Sequence, residues 1–270
     1  MFYQNLALML SDWLQKTMRM HLGCYCDLCQ LPIHTPLPLK TPDREHAKRK
    51  ETTRQRIGRN DIEWESIWCD SCKEHFAPTT RCSRCGLTTL TQTDQCGQCL
   101  AHPPLWSKLY CVGDYKLPLS SYVHRFKYQQ QFWHAKPLAA LLSERIDAMP
   151  DLIASVPLHW QRQLMRGFNQ SDLLAKQLGK RLDIEIAPNL FSRVKSTPQQ
   201  KGLNKKQRQQ NLRNAFRLNG SPQQKHIAIF DDVVTTGSTI HHLCQLLLDA
   251  GVETIDIYCI CRTPETDNSI

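Results

Sequence analysis

The residues best equipped for chemistry sit in one run near the C-terminal end: Ile227-Ala228-Ile229-Phe230-Asp231-Asp232-Val233-Val234-Thr235-Thr236-Gly237-Ser238-Thr239-Ile240. Four apolar residues lead into two adjacent carboxylates. Two more apolar residues precede a short stretch of hydroxyls around a glycine, and an apolar-periodic segment follows from Ile240 to Leu248. The pattern predicts a buried parallel strand ending at Asp231-Asp232, a tight loop, and a helix starting near Ser238. Open α/β sheets bind ligands at this place, beyond the carboxyl ends of their strands. The loop Thr235, Thr236, Gly237, Ser238 and Thr239 offers hydroxyls, backbone N–H groups and a positive helix end, a set that suits a phosphate. Asp231 and Asp232, the candidate catalytic pair, suit a ribose diol, a hydrated Mg²⁺, or both. A carboxylate pair that only caps a helix is the plain alternative, and the order strand, loop, helix argues against it.

A second strand–turn–helix supports the first. Residues 151–159 read as a strand ending in Val156-Pro157-Leu158. Arg166-Gly167-Phe168-Asn169-Gln170-Ser171 then precedes a helix with Leu173, Leu174 and Leu178 at helical spacing, capped by Asn169 or Ser171. An arginine fork and a glycine just ahead of a helix are useful to a phosphate. Pro157, Arg166 and Gly167 therefore join the candidate phosphate-binding residues. One unit can serve a pyrophosphate and the other a 5-phosphate. Taken alone, Arg166 reads better as the partner of a surface acid.

The elements that must position these residues occupy the C-terminal two-thirds of a 270-residue chain. Ahead of them lie four Cys-x-x-Cys pairs, Cys26/Cys29, Cys69/Cys72, Cys82/Cys85 and Cys96/Cys99. Two such pairs close a tetrahedral four-thiolate site, and with no ligand position left for water the sites read as structural. The direct partition is Cys26, Cys29, Cys69 and Cys72 in one zinc site and Cys82, Cys85, Cys96 and Cys99 in the other. An interleaved pairing is open, and Cys24 is an alternative to Cys26. The chain holds 13 cysteines, and this odd number argues against a secreted disulfide scaffold.

The remainder sorts by composition. Residues 1–22 predict an amphipathic helix with Leu6, Leu10, Trp13, Leu14 and Met18 on one face. They lack the layout of a signal peptide, and no apolar run is long enough to span a bilayer. Residues 31–61, rich in proline and then in charge, predict an exposed loop between the first two cysteine pairs. The formal net charge is +9, and it is concentrated between Arg193 and Arg217, inside a window from Ala187 to Phe230 with no Asp or Glu. Lys201, Lys205, Lys206, Arg208 and Arg213 in that stretch suit a lid over a polyanion, a nucleic-acid surface, or a solvated face. Thr254 to Thr263 predicts a last buried strand with Cys259 and Cys261 in the core and Arg262 turned toward the ligand edge.

Together these motifs resemble the ComF family, most closely its GntX-type members. The resemblance rests on the paired cysteine modules, Val156-Pro157-Leu158, Arg166 to Ser171, and Thr197, Gln199 and Gln200 leading to Arg208, Asn211, Ala215 and Phe216. The Asp-Asp-Val-Val-Thr-Thr-Gly-Ser-Thr run and Cys261-Arg262-Thr263 complete it. It implies a type I phosphoribosyltransferase-like α/β fold, a mostly parallel sheet flanked by helices, behind a small Cys₄ zinc-ribbon module. The expected domains are residues 1–22, a double zinc ribbon over 23–104, and the phosphoribosyltransferase-like body over 105–270. It further implies a cytoplasmic protein of competence or extracellular DNA utilisation. Phosphoribosyl pyrophosphate (PRPP) or ribose 5-phosphate groups with Mg²⁺ are the expected ligands, and single-stranded DNA and a DNA-uptake helicase the expected partners. The expectation covers either an enzyme with an unknown acceptor or a catalytically inactive binding module. The departure from the family pattern is the long basic insertion between the first two cysteine pairs.

Overall fold

A computed structural model describes residues 25–33, 67–158, 167–194 and 215–264. The expectations for residues 1–22, for Cys24, for most of the 31–61 insertion, for Arg166, and for Lys201, Lys205, Lys206, Arg208 and Arg213 fall outside the described residues. The chain divides into two compact units, Met1–His75 and Phe76–Ile270. The second cysteine tetrad therefore belongs to the same unit as the sheet.

In the first unit the Cys26–Cys29 pair sits in a tight turn. The N–H of Gln30 donates to the carbonyl of Cys26 at 2.9 Å, and the N–H of Cys26 to that of Leu31 at 2.8 Å. Gln30 takes a left-handed conformation at φ 59, which lets the chain reverse. Cys72 lies on a one-turn helix, α1 (Asp70–Lys73), which directly follows Cys69.

The second unit is built on a five-stranded sheet in the order β1-β7-β6-β2-β3. Its strands are β1 (Lys108–Asp114), β2 (Leu152–Ser155), β3 (Glu185–Ala187), β6 (His226–Val234) and β7 (Thr254–Arg262). Every pairing is parallel. β4 (Phe191–Arg193) and β5 (Phe216–Leu218) form a separate antiparallel pair. A parallel sheet needs helices on both faces, and its central strands then read as continuous apolar runs. β6 and β7 do so, with Ile227, Ala228, Ile229, Phe230, Ile257, Tyr258, Cys259, Ile260 and Cys261 fully buried.

One face is covered by α6 (Ser238–Asp249), whose Ile240, Leu243, Cys244 and Leu247 pack with Ile227, Ile229, Ile257 and Cys259. The opposite layer holds α3 (Leu119–Tyr128), α4 (Ala135–Ser143) and α5 (Gln170–Leu182). A further short helix, α2 (Gly97–Ala101), carries Cys99. One boundary differs from the sequence reading: β6 runs two residues past the acids, because Val233 and Val234 pair with Cys261 and Arg262. α4 stops at Ser143. α5 begins at Gln170, capped by Asn169, one of the two caps expected from sequence.

That cap fixes more than a helix end. The Asn169 side-chain oxygen accepts from the Ser171 N–H at 3.2 Å, while its amide donates to the Val156 carbonyl at 3.0 Å. One residue thus ties α5 to the chain leaving β2. Asn169→Ala is expected to cost about 1–2 kcal/mol, read as a lower urea midpoint at unchanged slope. An unchanged midpoint would remove Asn169 from the residues that set this corner.

Candidate functional site

At the carboxyl ends of β6 and β2 the chain surrounds a cavity of ≈ 220 Å³ lined by Lys127, Val156, Pro157, Leu158, Gln170, Ser171, Arg193, Asp231, Asp232 and Thr239. Strand order explains the location. β6 lies between β7 and β2, so its end meets the turn after β2 and the N-terminus of α5. Of the residues expected from sequence, the cavity gathers Asp231, Asp232, Thr239 and Pro157. Thr235 and Thr236 are exposed at the loop tip, with the Thr236 and Ser238 hydroxyls 2.8 Å apart. Gly167 is described beside α5 in a left-handed conformation at φ 77.

The two carboxylates differ. Asp232 is 8% exposed and pairs with the Lys127 ammonium at 2.8 Å. Asp231 accepts from the Ser171 hydroxyl at 3.1 Å and from the Asp232 N–H at 2.9 Å. Burial and the neighbouring Asp232 charge push Asp231 up to about 7, against the pull of Lys127 and these two hydrogen bonds. Two adjacent acids near one lysine form a site short of positive charge. A divalent cation or a ribose diol would relieve that imbalance, the one by charge and the other by donating hydrogen bonds.

Lys127 is not among the phosphate-binding residues expected from sequence. His124, Arg125 and Lys127 lie near the end of α3, where the sequence lets them either cap the helix or face the cleft, and Lys127 lines the cleft. The signal was present in the helix pattern: Leu119, Tyr122, Val123 and Phe126 are buried, and Lys127 adjoins that buried stripe. Arg193 also lines the cavity, from the first residue of the basic stretch, and its guanidinium stacks on Phe216 at 5.4 Å.

The loop itself turns on Gly237, which is left-handed at φ 72 and precedes α6. Its N–H neighbours belong to a helix start whose first-turn donors have no intrahelical acceptor. The indole of Trp106 lies 3.0 Å from the point where a Cβ on Gly237 would stand. Gly237→Ala therefore adds both a positive-φ penalty of about 1–2 kcal/mol and a contact that moves the loop or the ring. The expected result is a lower melting temperature together with a changed Trp emission; an unchanged pair of readings would show that the loop tolerates a side chain.

Arg262 corrects an expectation. It does not turn toward the ligand edge but is 5% exposed, packed under the loop. Its guanidinium donates to the carbonyls of Cys85 at 2.9 Å, Thr263 at 2.8 Å and Val234 at 3.4 Å, and to Thr235. A buried guanidinium needs acceptors for its donors, and these four carbonyls take up Nε and Nη1.

Both cysteine tetrads converge. Cys26, Cys29, Cys69 and Cys72 form one group and Cys82, Cys85, Cys96 and Cys99 the other, each with its sulfurs within 4.8 Å of one another. The chain thus adopts the sequential partition, not the interleaved one. The sulfur–sulfur separations are 3.7 Å for Cys29–Cys69, 3.8 Å for Cys82–Cys99 and 3.7 Å for Cys85–Cys96. A tetrahedron with metal–sulfur bonds of ~2.3 Å has edges of ~3.8 Å, so both groups fit a bound metal ion. The Cys96 N–H points at the Cys82 sulfur at 3.2 Å, a bond that favours a thiolate. Burial opposes ionisation of Cys26, but the N–H groups of Cys29, Cys69 and Leu28 outweigh it and lower that thiol to about 6.

A parallel α/β sheet with an acidic pair and a hydroxyl loop at its carboxyl edge defines a phosphoribosyltransferase-type fold, and residues 164–269 match the family described as "Phosphoribosyl transferase domain". The chain is 40% identical over 205 residues to "Competence protein F" of Haemophilus influenzae, covering 72% of this chain and 90% of that protein. It is 42% identical over 192 residues to "DNA utilization protein YhgH" of Shigella flexneri, covering 68% and 85%. Among solved structures, a purine phosphoribosyltransferase from Pyrococcus horikoshii aligns at 19% identity and a TM-score of 0.30, over 49% of this chain and 84% of that one. The chain belongs to the ComF family of phosphoribosyltransferase-fold proteins. Among the described residues no helix is long and apolar enough to cross a membrane.

Proposed function

We propose that this protein binds a 5-phosphorylated ribose, as PRPP or as a ribose 5-phosphate group, with Mg²⁺, in a cytoplasmic pathway of competence or DNA utilisation. The observation that carries the reading is the Asp231–Asp232 pair at the end of the central strand, set between Lys127 and the N-terminus of α6. In this reading the Thr235–Thr239 loop receives the 5-phosphate on the hydroxyls and first-turn N–H groups. Asp231 and Asp232 hold the ribose hydroxyls and the hydrated Mg²⁺. Arg193 and Lys127 serve the pyrophosphate end, and Arg166 is assigned to it from the sequence alone. When bound, Mg²⁺ supplies charge to a leaving pyrophosphate. Should an acceptor attack the anomeric carbon, the bond to pyrophosphate breaks, and these cations are placed to take up the charge that develops on it. Zinc is the metal we assign to the two tetrads, since four thiolates in tetrahedral array with no open position match its structural sites.

Calorimetry of the full chain with ribose 5-phosphate and with PRPP, each with and without Mg²⁺, tests the reading. Saturable binding strengthened by Mg²⁺ is the expected result. Binding of neither sugar phosphate at millimolar concentration would end it. Release of pyrophosphate with a panel of nucleophilic acceptors then separates an enzyme from a binding module.

A second reading has support in the names of the relatives, two of which concern competence and DNA utilisation. The basic stretch from Arg193 to Arg217 would track single-stranded DNA, and the fold would serve as a scaffold for an uptake helicase. Neutralising Lys201, Lys205 and Lys206 would then weaken strand binding and flatten its salt dependence, while leaving sugar-phosphate binding intact. Equal loss of both would place one site, not two, on the protein.

A further inference from the structure

The second cysteine turn is joined to the sheet unit by three successive carbonyls. Ser83 O accepts from the Leu109 N–H at 2.9 Å. Arg84 O accepts from the Trp106 indole N–H at 2.7 Å. Cys85 O accepts from Arg262 Nε at 2.9 Å. All three lie in the turn from Cys82 to Gly86, closed by the Gly86 N–H on the Cys82 carbonyl at 2.8 Å. The direction in which these carbonyls fan out depends on the shape of the turn. The Cys82 and Cys85 sulfurs, at the two ends of that turn, lie within 4.8 Å of each other, so a metal bound by both would fix its shape.

Two of the three donors continue to the phosphate loop. Trp106 reaches Gly237, with its indole 3.0 Å from the Cβ that glycine lacks. Arg262 grips the carbonyls of Thr235 and Thr263 with Nη1 while Nε stays on Cys85. Arg262 is 5% exposed and Trp106 7%, so neither can re-solvate cheaply if its carbonyl partner turns away. The same docking surface carries the Arg81–Asp114 ion pair at 2.8 Å, with each side chain about a tenth exposed.

We propose that the second metal centre sets the shape of the phosphate loop through Arg262 and Trp106, which act as positioning residues, so that metal retention and phosphate affinity are linked. This rests on the reading that the Thr235–Thr239 loop receives a phosphate. Linkage is reciprocal: whatever factor the metal adds to ligand affinity, the ligand adds to metal affinity. A merely structural metal would stabilise the fold without that reciprocity.

The test uses the full-length chain carrying Cys26→Ser and Cys69→Ser, so that zinc loads at the second tetrad alone, one per chain by native mass spectrometry. Zinc transfer to a colorimetric chelator is timed with and without saturating ribose 5-phosphate. The expected result is a slowing of about five-fold or more. Arg262→Lys, which keeps the charge but cannot bridge both carbonyl sets, is expected to load zinc and to lose the slowing. Ligand binding shown by calorimetry together with an unchanged release rate would overturn the proposal, as would full slowing in the Arg262→Lys protein. Should ribose 5-phosphate not bind the zinc-loaded chain, the binding reading fails instead. The coupling is then decided by hydrogen exchange across residues 234–240: loss of protection on zinc removal sustains it, and unchanged exchange overturns it.

Discussion

Replacing both acids, Asp231→Asn with Asp232→Asn, is expected to weaken ribose 5-phosphate binding at least ~100-fold, since each lost charged hydrogen bond is worth about 1.5–3 kcal/mol. The same change is expected to leave the empty protein no less stable near neutral pH, and Asp231→Asn alone to make it more stable. The sign follows from the position of Asp231. Burial and the adjacent Asp232 raise it from 3.8 to about 7, so the folded protein holds its proton more tightly than the unfolded chain. That contribution is fully present below about pH 4 and is lost as pH rises through about 7. Above pH 7 the folded protein keeps an ionised carboxylate in a place that disfavours it. Asp231 retains some solvent contact, so the penalty is discounted to about 1–2 kcal/mol. For a unit of this size that is a rise of about 3–6 °C in melting temperature at pH 8, shrinking toward zero near pH 4. Scanning calorimetry from pH 4 to 8 reads it directly. A variant that melts lower at pH 8 than the parent would mean that Asp231 supports the fold, and the functional reading of the pair would lose its energetic basis.

Lys127 must be kept in that experiment. Its ammonium at 2.8 Å from Asp232 is the charge that lets two acids stand side by side. Lys127→Met removes it and leaves Asp232, 8% exposed, without that cation, so this variant should lose stability where Asp231→Asn gains it. Opposite signs for two substitutions in one cluster would be hard to obtain from general damage to the fold.

The run from Ile227 to Ile240 was legible in sequence because its parts are local. Apolar residues, acids, hydroxyls and a helix start follow one another within a strand, a loop and a first turn, and the chain needs no distant contact to bring them together. The Cys-x-x-Cys spacing is local too, although which pairs converge depended on the fold: a sulfur from Cys29 had to meet one from Cys69. Lys127 was legible only as one of three basic residues near the end of α3, able to cap that helix or to face the cleft. It lies over a hundred positions from Asp232, and only the placing of α3 against the sheet brings its end to the tip of β6. The orientation of Arg262 escapes the sequence for a related reason. An arginine at the carboxyl end of a parallel strand can face a ligand or turn back on carbonyls. The choice here follows from Cys85 O lying beneath it, a fact of tertiary docking that no strand pattern contains. The extra two residues of β6 have the same origin, since Val233 and Val234 are strand only because β7 runs equally far beside them.

Loss of the second tetrad is expected to be the most damaging single event for the sheet unit. With Cys82→Ser and Cys99→Ser, or after stripping the metal, about 3 kcal/mol or more of stability should go, and the melting temperature should fall by about 10 °C. The size comes from what the Cys82–Gly86 turn holds in place. Its carbonyls satisfy a buried guanidinium and a buried indole, and its glycine meets Leu109, whose Cδ2 stands 2.4 Å from the Cβ position of Gly86. When the turn loosens, Arg262 keeps its charge and loses one of its acceptors in a site closed to water, and breaking up a buried charged group's partners is costlier than losing the contact itself. The effect should also be local in order: amides of residues 83–87, 107–109 and 262–263 should lose protection from hydrogen exchange before those of β2 and β6. Serine variants that melt with the parent, and exchange alike, would show that the turn keeps its shape without a metal. The loop above it would then owe its form to the sheet alone.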